Sequence, residues 1–245
     1  AVLSEDLNPS FSKDSPLQVK EEEGFMVTIE IEPSADTDYD TLFSADRHEM
    51  TIRTKRSPLQ NVVILLDPGH GGIDSGGIGG QGAREKEINL AVSLRLRRYL
   101  EAAGARVVMT RDRDFYLGLY ERVALANRAA AALTLSIHSN FHPNPKVNGF
   151  EIFYHPDRKE SHRLAQVVFD QVTKGTELKP LAVKASKELV MTRETQMPSV
   201  LVEMGFLSNY QEEALLRTEK FQEEMAKCLF EAIICYMQAK RGASE

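Results

Sequence analysis

The sharpest hydrophobic pattern in the chain begins at Asn61. Val62-Val63-Ile64-Leu65-Leu66 is an unbroken apolar run, which predicts a strand covered on both faces. Ile88, Val92, Leu96 and Leu100 then recur at helical spacing up to Gly104, a residue suited to ending a helix. Short apolar runs at 106–109, 133–137, 150–154, 189–191 and 200–202 predict further strands. Helical patterns occupy about 119–131, 159–174 and 210–239. Strands alternating with helices predict an α/β fold, with one mostly parallel or mixed sheet of about six strands and helices on both faces. The chain shows no internal repeat.

Residues 1–60 read differently. Ser, Pro, Asp and Glu dominate 1–24, the composition of a poorly ordered segment. Phe25 to Ile31 alternates apolar and polar positions, and Met50 to Thr54 resembles a second strand. A small β module, strands added to the main sheet, and a solvated acidic leader all remain open. The net charge of −6 is concentrated here: residues 1–60 hold 13 acids and 6 bases, whereas 61–245 hold 23 and 24. The chain therefore divides into an acidic N-terminal segment, 1–60, and a main domain, 61–245. No basic block exceeds Arg95, Arg97 and Arg98, so nucleic-acid binding is not expected. No run of 18 apolar residues exists, so no membrane span is expected. No signal peptide opens the chain, so any export signal has been removed or never existed. Cys228 and Cys235 lie seven apart in a predicted helix, roughly 10 Å of rise, too far for one disulfide. Both are expected to be small core residues.

In open α/β sheets, ligands bind beyond the carboxyl ends of the strands. The polar residues that follow each apolar run are therefore the informative ones. They are Asp67-Pro68-Gly69-His70, Thr110-Arg111-Asp112, His138-Ser139-Asn140 and Glu203. Eight of the 15 glycines lie between Gly69 and Gly82, where close backbone approach to a ligand would need them. Gly77-Ile78-Gly79-Gly80-Gln81-Gly82 fits a dinucleotide fingerprint. It begins about ten residues after the strand instead of directly after it, so nucleotide binding is not expected. Each chemical candidate has a bland alternative. His70 and His138 could be core histidines, Glu85 could serve a helix N-terminus, and Glu203 could pair with Arg111. Together they are costly to bury without a cation or ion pairing. Two imidazoles and one carboxylate with an open water position match hydrolytic zinc sites. A remaining carboxylate would be the general base.

These motifs resemble the zinc-dependent N-acetylmuramoyl-L-alanine amidases of the bacterial cell wall. Leu66-Asp67-Pro68-Gly69-His70-Gly71-Gly72-Ile73-Asp74 is similar to the family's opening motif, and Arg84-Glu85-Lys86-Glu87-Ile88-Asn89-Leu90 to its second. Ser136-Ile137-His138-Ser139-Asn140 is similar to its third, and Pro198 to Asn209, containing Glu203, to its fourth. Gly77, where alanine is usual, and Ser139 are small departures. The likeness runs from about Val62 to the C-terminal helix and does not reach 1–60. It implies one Zn2+ per chain held by His70, Glu85 and His138, with Glu203 as catalytic carboxylate. It implies hydrolysis of the amide between the lactyl group of N-acetylmuramic acid and L-alanine of the stem peptide. Arg111, Asn140 and Arg193 are the candidates for substrate contact, although the arginines could instead brace Asp112 or Glu194. The implied partner is peptidoglycan or muropeptides, the implied place is periplasmic or extracellular, and a monomer is expected. A zinc peptidase on another substrate, or a non-catalytic zinc- or muropeptide-binding protein of the same fold, would share these motifs. Between His138 and Glu203 only about 175–187 is free of predicted elements, and it contains Pro180. That proline argues against a long helix there plugging the site, so an open groove is expected.

Overall fold

The computed structural model describes residues 17–21, 27–31, 37–43 and 50–242. In the N-terminal part, β1 (Leu17–Glu21) pairs antiparallel with β2 (Val27–Ile31), and β3 (Thr37–Phe43) with β4 (Met50–Arg56). Both expected strands are therefore present. Leu17–Glu21 corrects the reading of that stretch as poorly ordered; the rest of 1–24 and Phe25 lie outside the described residues. Among the described residues these hairpins form two-stranded sheets of their own and do not extend the main one.

The main sheet has six strands in the order β6-β5-β7-β10-β8-β9. They are β5 (Val63–Pro68), β6 (Arg106–Met109), β7 (Leu133–Asn140), β8 (Phe150–Tyr154), β9 (Pro180–Ala185) and β10 (Ser199–Phe206). Only β8 against β10 is antiparallel; the other pairs are parallel. The unbroken apolar run of β5 has a physical reason. Ile64 and Leu66 join one core cluster, and Leu65, pointing the other way, joins a second.

Helices cover both faces. α1 (Glu85–Ala102), α3 (Lys159–Gly175) and α6 (Glu219–Gly242) pack together over the larger cluster, which includes Val92, Leu96, Val168, Leu229 and Ile233. α2 (Leu119–Arg128) and α4 (Val190–Glu194) close the smaller one with Val123, Ala126 and Met191. The short α5 (Tyr210–Leu216) follows β10. No described helix is long and apolar enough to cross a membrane. Cys228 is buried as expected, whereas Cys235 is only half-buried.

Two expectations need correction. The apolar triplet 189–191 is not a strand: Leu189 precedes α4, whose Met191 is buried in the smaller cluster. Three apolar residues cannot distinguish the two states by period. The sixth strand is instead Pro180–Ala185, within the stretch 175–187 that carries no clear periodic pattern. A proline is tolerated there because it is the first residue of an edge strand.

Candidate metal centre

β5 delivers the chain to the site through a buried anchor. Asp67 accepts hydrogen bonds from Ser136 Oγ (2.6 Å), Thr110 Oγ1 (2.7 Å) and Arg122 Nη1 (2.8 Å). Burial pushes the Asp67 carboxyl up, but Arg122 and the two hydroxyls outweigh it and hold the group below the usual carboxylate range. Arg122 also donates to the Pro68 carbonyl (2.8 Å) and the His70 carbonyl (2.7 Å). Breaking such a buried pair costs about 3–5 kcal/mol, so the loop that leaves β5 starts from a rigid point.

His70 follows at once, in a left-handed backbone conformation with φ of 62°. Its Nδ1 donates to Asp74 Oδ2 at 2.8 Å, which turns Nε2 toward Glu85 Oε2 at 3.0 Å. Glu85 opens α1, and its Oε1 lies 3.0 Å from His138 Nδ1 on β7. The Gly77 amide donates to Glu85 Oε2 (2.8 Å), and the Ser139 amide and Asn89 Nδ2 to Oε1 (3.1 Å each). One ligand atom from each of His70, Glu85 and His138 falls within 4.8 Å of the others, so the three could hold a metal ion. Two glycines make that convergence sterically feasible. A Cβ at Gly69 would sit 2.2 Å from the His138 ring, and one at Gly76 would sit 2.4 Å from Glu85 Oε2. Gly76 also has φ of 64°, where a side chain is strained.

The electrostatics suit a cation. Burial opposes charge on Glu85, yet hydrogen bonds and attraction from His138 and His70 hold its carboxyl far below the ordinary range. Burial likewise opposes charge on His70, but Glu85 and Asp74 raise it to about 9, and Glu85 raises His138. Glu203 stands opposite His138 in the β7–β10 register and opposite Glu151 on β8. Its Oε2 is buried without a hydrogen-bond partner. Burial raises its carboxyl to about 7, against the pull of His138 and with the repulsion of Glu85 and Glu151. An orphaned acid beside two imidazoles and a carboxylate is the kind of group that a bound cation and water would satisfy.

A cleft of about 350 Å³ reaches His70 and His138, with Tyr116, Leu119, Leu189 and Met191 among its walls. α4 thus forms part of a wall, and the His70 side chain keeps 26% of its exposure. The other candidates fall elsewhere. Arg111, expected at the substrate or on Asp112, is 1% exposed and gives its guanidinium to the carbonyls of Pro68, Gly69, Lys86 and Arg113. It therefore supports the loop from beneath. Arg193 pairs with Glu194 at 2.7 Å and bonds the Lys187 carbonyl (3.1 Å), the bracing role. Asn140 ends β7 with its amide 3.4 Å from Glu151 Oε2, and Glu151 is paired with Lys184. Sequence reasoning gave no role to Asp67, Arg122 or Asp74. Only Asp74 left a local signal, an acid four residues after a histidine in a glycine-rich loop.

The sequence profile described as N-acetylmuramoyl-L-alanine amidase matches residues 64–235. The chain belongs to that family. The germination-specific N-acetylmuramoyl-L-alanine amidase of Bacillus subtilis (strain 168) is 34% identical over 202 residues, 77% of this chain and 85% of the relative. N-acetylmuramoyl-L-alanine amidase AmiA of Escherichia coli (strain K12) is 33% identical over 218 residues, 71% of this chain and 75% of that one. The solved structure of N-acetylmuramoyl-L-alanine amidase AmiC2 of Nostoc punctiforme superposes with a TM-score of 0.69 at 35% identity, covering 72% of this chain and 97% of its own.

Proposed function

We propose that this amidase is zinc-dependent, that His70, Glu85 and His138 hold the ion, and that Glu203 is its catalytic carboxylate. The chain is a peptidoglycan hydrolase of its family, cleaving the amide between the lactyl group of N-acetylmuramic acid and L-alanine of the stem peptide. Residues 61–245 are the catalytic unit, the acidic segment 1–60 is an appendage, and the working place is outside the cytoplasmic membrane. The observation that carries the reading is the convergence of two imidazoles and a carboxylate beside a buried, unpartnered acid. Bound zinc supplies Lewis acidity, lowering the pKa of a water to about 7 and polarising a carbonyl. Glu203 takes the proton from the attacking water and delivers it to the leaving amine, a shuttle that its carboxyl near 7 fits. The rigid Asp67–Arg122 anchor and the Arg111 brace hold the His70 loop in register with α1 and β7. The test is digestion of purified peptidoglycan by the zinc-loaded chain. Glycan strands stripped of peptide, with stem peptides released at a free L-alanine amine, are expected; cleavage within the peptides alone would assign a peptidase.

Asp74 is the positioning residue for His70. It holds Nδ1–H and is itself fixed by the Gly76 amide at 3.0 Å, so it keeps Nε2 free to bind metal. Asp74→Ala is expected to weaken zinc binding by about 10–100-fold, read by competition with a chelator. Unchanged affinity would remove Asp74 from that role.

Metal uptake should also depend on pH in a defined direction. In the metal-free protein His70 titrates at about 9, so its imidazole is protonated at neutral pH, and Glu85 raises His138 as well. Only a neutral imidazole can bind metal, so uptake must release protons. Apparent affinity should rise about tenfold per pH unit for each proton released, levelling off near pH 9. Chelator competition at stepped pH, with proton release followed in weak buffer, checks this. A flat affinity through neutral pH would show that the free site is already deprotonated.

A further inference from the structure

Most of the large exposed apolar side chains among the described residues belong to segments at the metal group, Tyr210 and Leu215 of α5 excepted. Ile73, Ile78, Tyr116, Leu119, Tyr120 and Phe141 are each more than half exposed. Large side chains left in water together mark a contact surface. Ile73 and Ile78 lie on the loop between His70 and Glu85, and Phe141 follows His138 by three residues. Tyr116 and Leu119 line the cleft itself, and Tyr120 is the next residue. Two flanks result. On one, the Tyr116 backbone packs against Gly72, so close that a Cβ there would lie 2.5 Å from the Tyr116 nitrogen. On the other, the Phe141 ring lies against Gly77, whose amide binds Glu85.

The chemistry of these flanks selects the occupant. Between Ile73 and Ala83 the only charged residue is Asp74, already engaged by His70. The cation next to this loop, Arg84, pairs with Glu87; on the tyrosine flank Arg193 reaches Tyr120 and pairs with Glu194, and Arg113 lies over the Phe115 ring. A membrane contact would carry free lysines or arginines beside its apolar residues, whereas the arginines on these flanks are engaged within the chain. A neutral ligand with apolar faces and hydroxyl edges fits better. Tyrosine presents an apolar ring with a polar tip, which complements a pyranose that stacks its C–H face and hydrogen-bonds at its rim.

We propose that Tyr116, Tyr120 and Phe141 form a stacking platform for the sugar rings of the glycan strand on either side of the scissile amide. The proposal rests on the amidase reading, because that amide hangs directly from a sugar, which must then lie beside the metal group. Tyr116 and Phe141 take the rings nearest the site, and Tyr120 extends the track outward.

The test uses the full chain and soluble, peptide-free strands of alternating N-acetylglucosamine and N-acetylmuramic acid. The chain has no tryptophan, so tyrosine emission reports on ring stacking, and calorimetry gives the affinity. Tyr120→Ala and Tyr116→Ala should each weaken binding about 3–10-fold, and the double variant more. Tyr120→Phe should keep most of the affinity, since it keeps the ring. If wild type binds no peptide-free strand, or if both alanine variants bind it as wild type does, the platform is wrong. Loss of binding to anionic phosphatidylglycerol vesicles in the variants, with glycan binding intact, would also overturn it and assign the face to a membrane. Peptide release from whole peptidoglycan by wild type is scored separately. Release without glycan binding refutes the platform alone; absence of release refutes the amidase reading.

Discussion

Replacing Glu203 with glutamine is expected to leave zinc bound and the fold intact while turnover on peptidoglycan falls about 10²–10⁴-fold. Three features of the site lead there. Glu203 is not one of the residues whose ligand atoms converge within 4.8 Å, so the amide should not lower zinc content. Glutamine is nearly isosteric, and β10 is held to β7 and β8 through backbone pairing, so the strand stays in place. What glutamine cannot do is accept a proton, and no other unpartnered buried carboxylate oxygen stands among the described residues. Stability should hold or rise, because an acid buried without a partner costs free energy that the neutral amide largely avoids. Zinc content, thermal midpoint and hydrolysis rate of the variant check the three parts together. Near-normal hydrolysis would mean that another residue carries the proton.

Much of this arrangement is legible in the sequence because the relevant residues follow strands. His70, His138 and Glu203 each sit where an apolar run ends, and parallel strands bring such positions to one edge. Glu85 is different. Its place at the start of α1 admits an ordinary helix-terminal role, and only its bonds to both histidines distinguish it from that. Arg111 is ambiguous for a related reason. A strand-end arginine looks the same whether it faces the groove or turns beneath it. The decision rests on four backbone carbonyls, three of them (Pro68, Gly69 and Lys86) from two distant stretches of chain.

Sheet details were hidden by brevity. β9 and α4 are six and five residues long, too short for a periodic signal, and the proline that opens β9 disguises an edge strand. The reversed direction of β8 did leave a trace. Only residues 141–149 join it to β7, and a parallel return requires a dozen or more. The Asp67–Arg122 anchor left none, because its partners lie 55 residues apart and nothing local links them.

His138→Ala is expected to lose zinc and activity together. Its ring supplies one of the three converging ligand atoms, and two protein ligands do not complete a stable site of this kind. The strand should survive, since β7 is central and bonded on both sides by β5 and β10. The ring packs on Gly69, where a Cβ would lie 2.2 Å from it, so the variant leaves a gap that no neighbouring side chain from that residue can fill. Glu85 would also change. His138 stabilises it more than His70 does, so without that imidazole the buried carboxylate relies on His70 alone and its pKa should climb back toward the ordinary range. The variant should therefore bind little zinc at any pH, and raising the pH should not restore it, in contrast to the wild-type protein. Metal analysis after dialysis, alongside circular dichroism to show that the fold is kept, makes the measurement. A folded variant with full zinc content would place the third ligand elsewhere, and Glu203, opposite His138 across the strand pair, would be the residue to examine next.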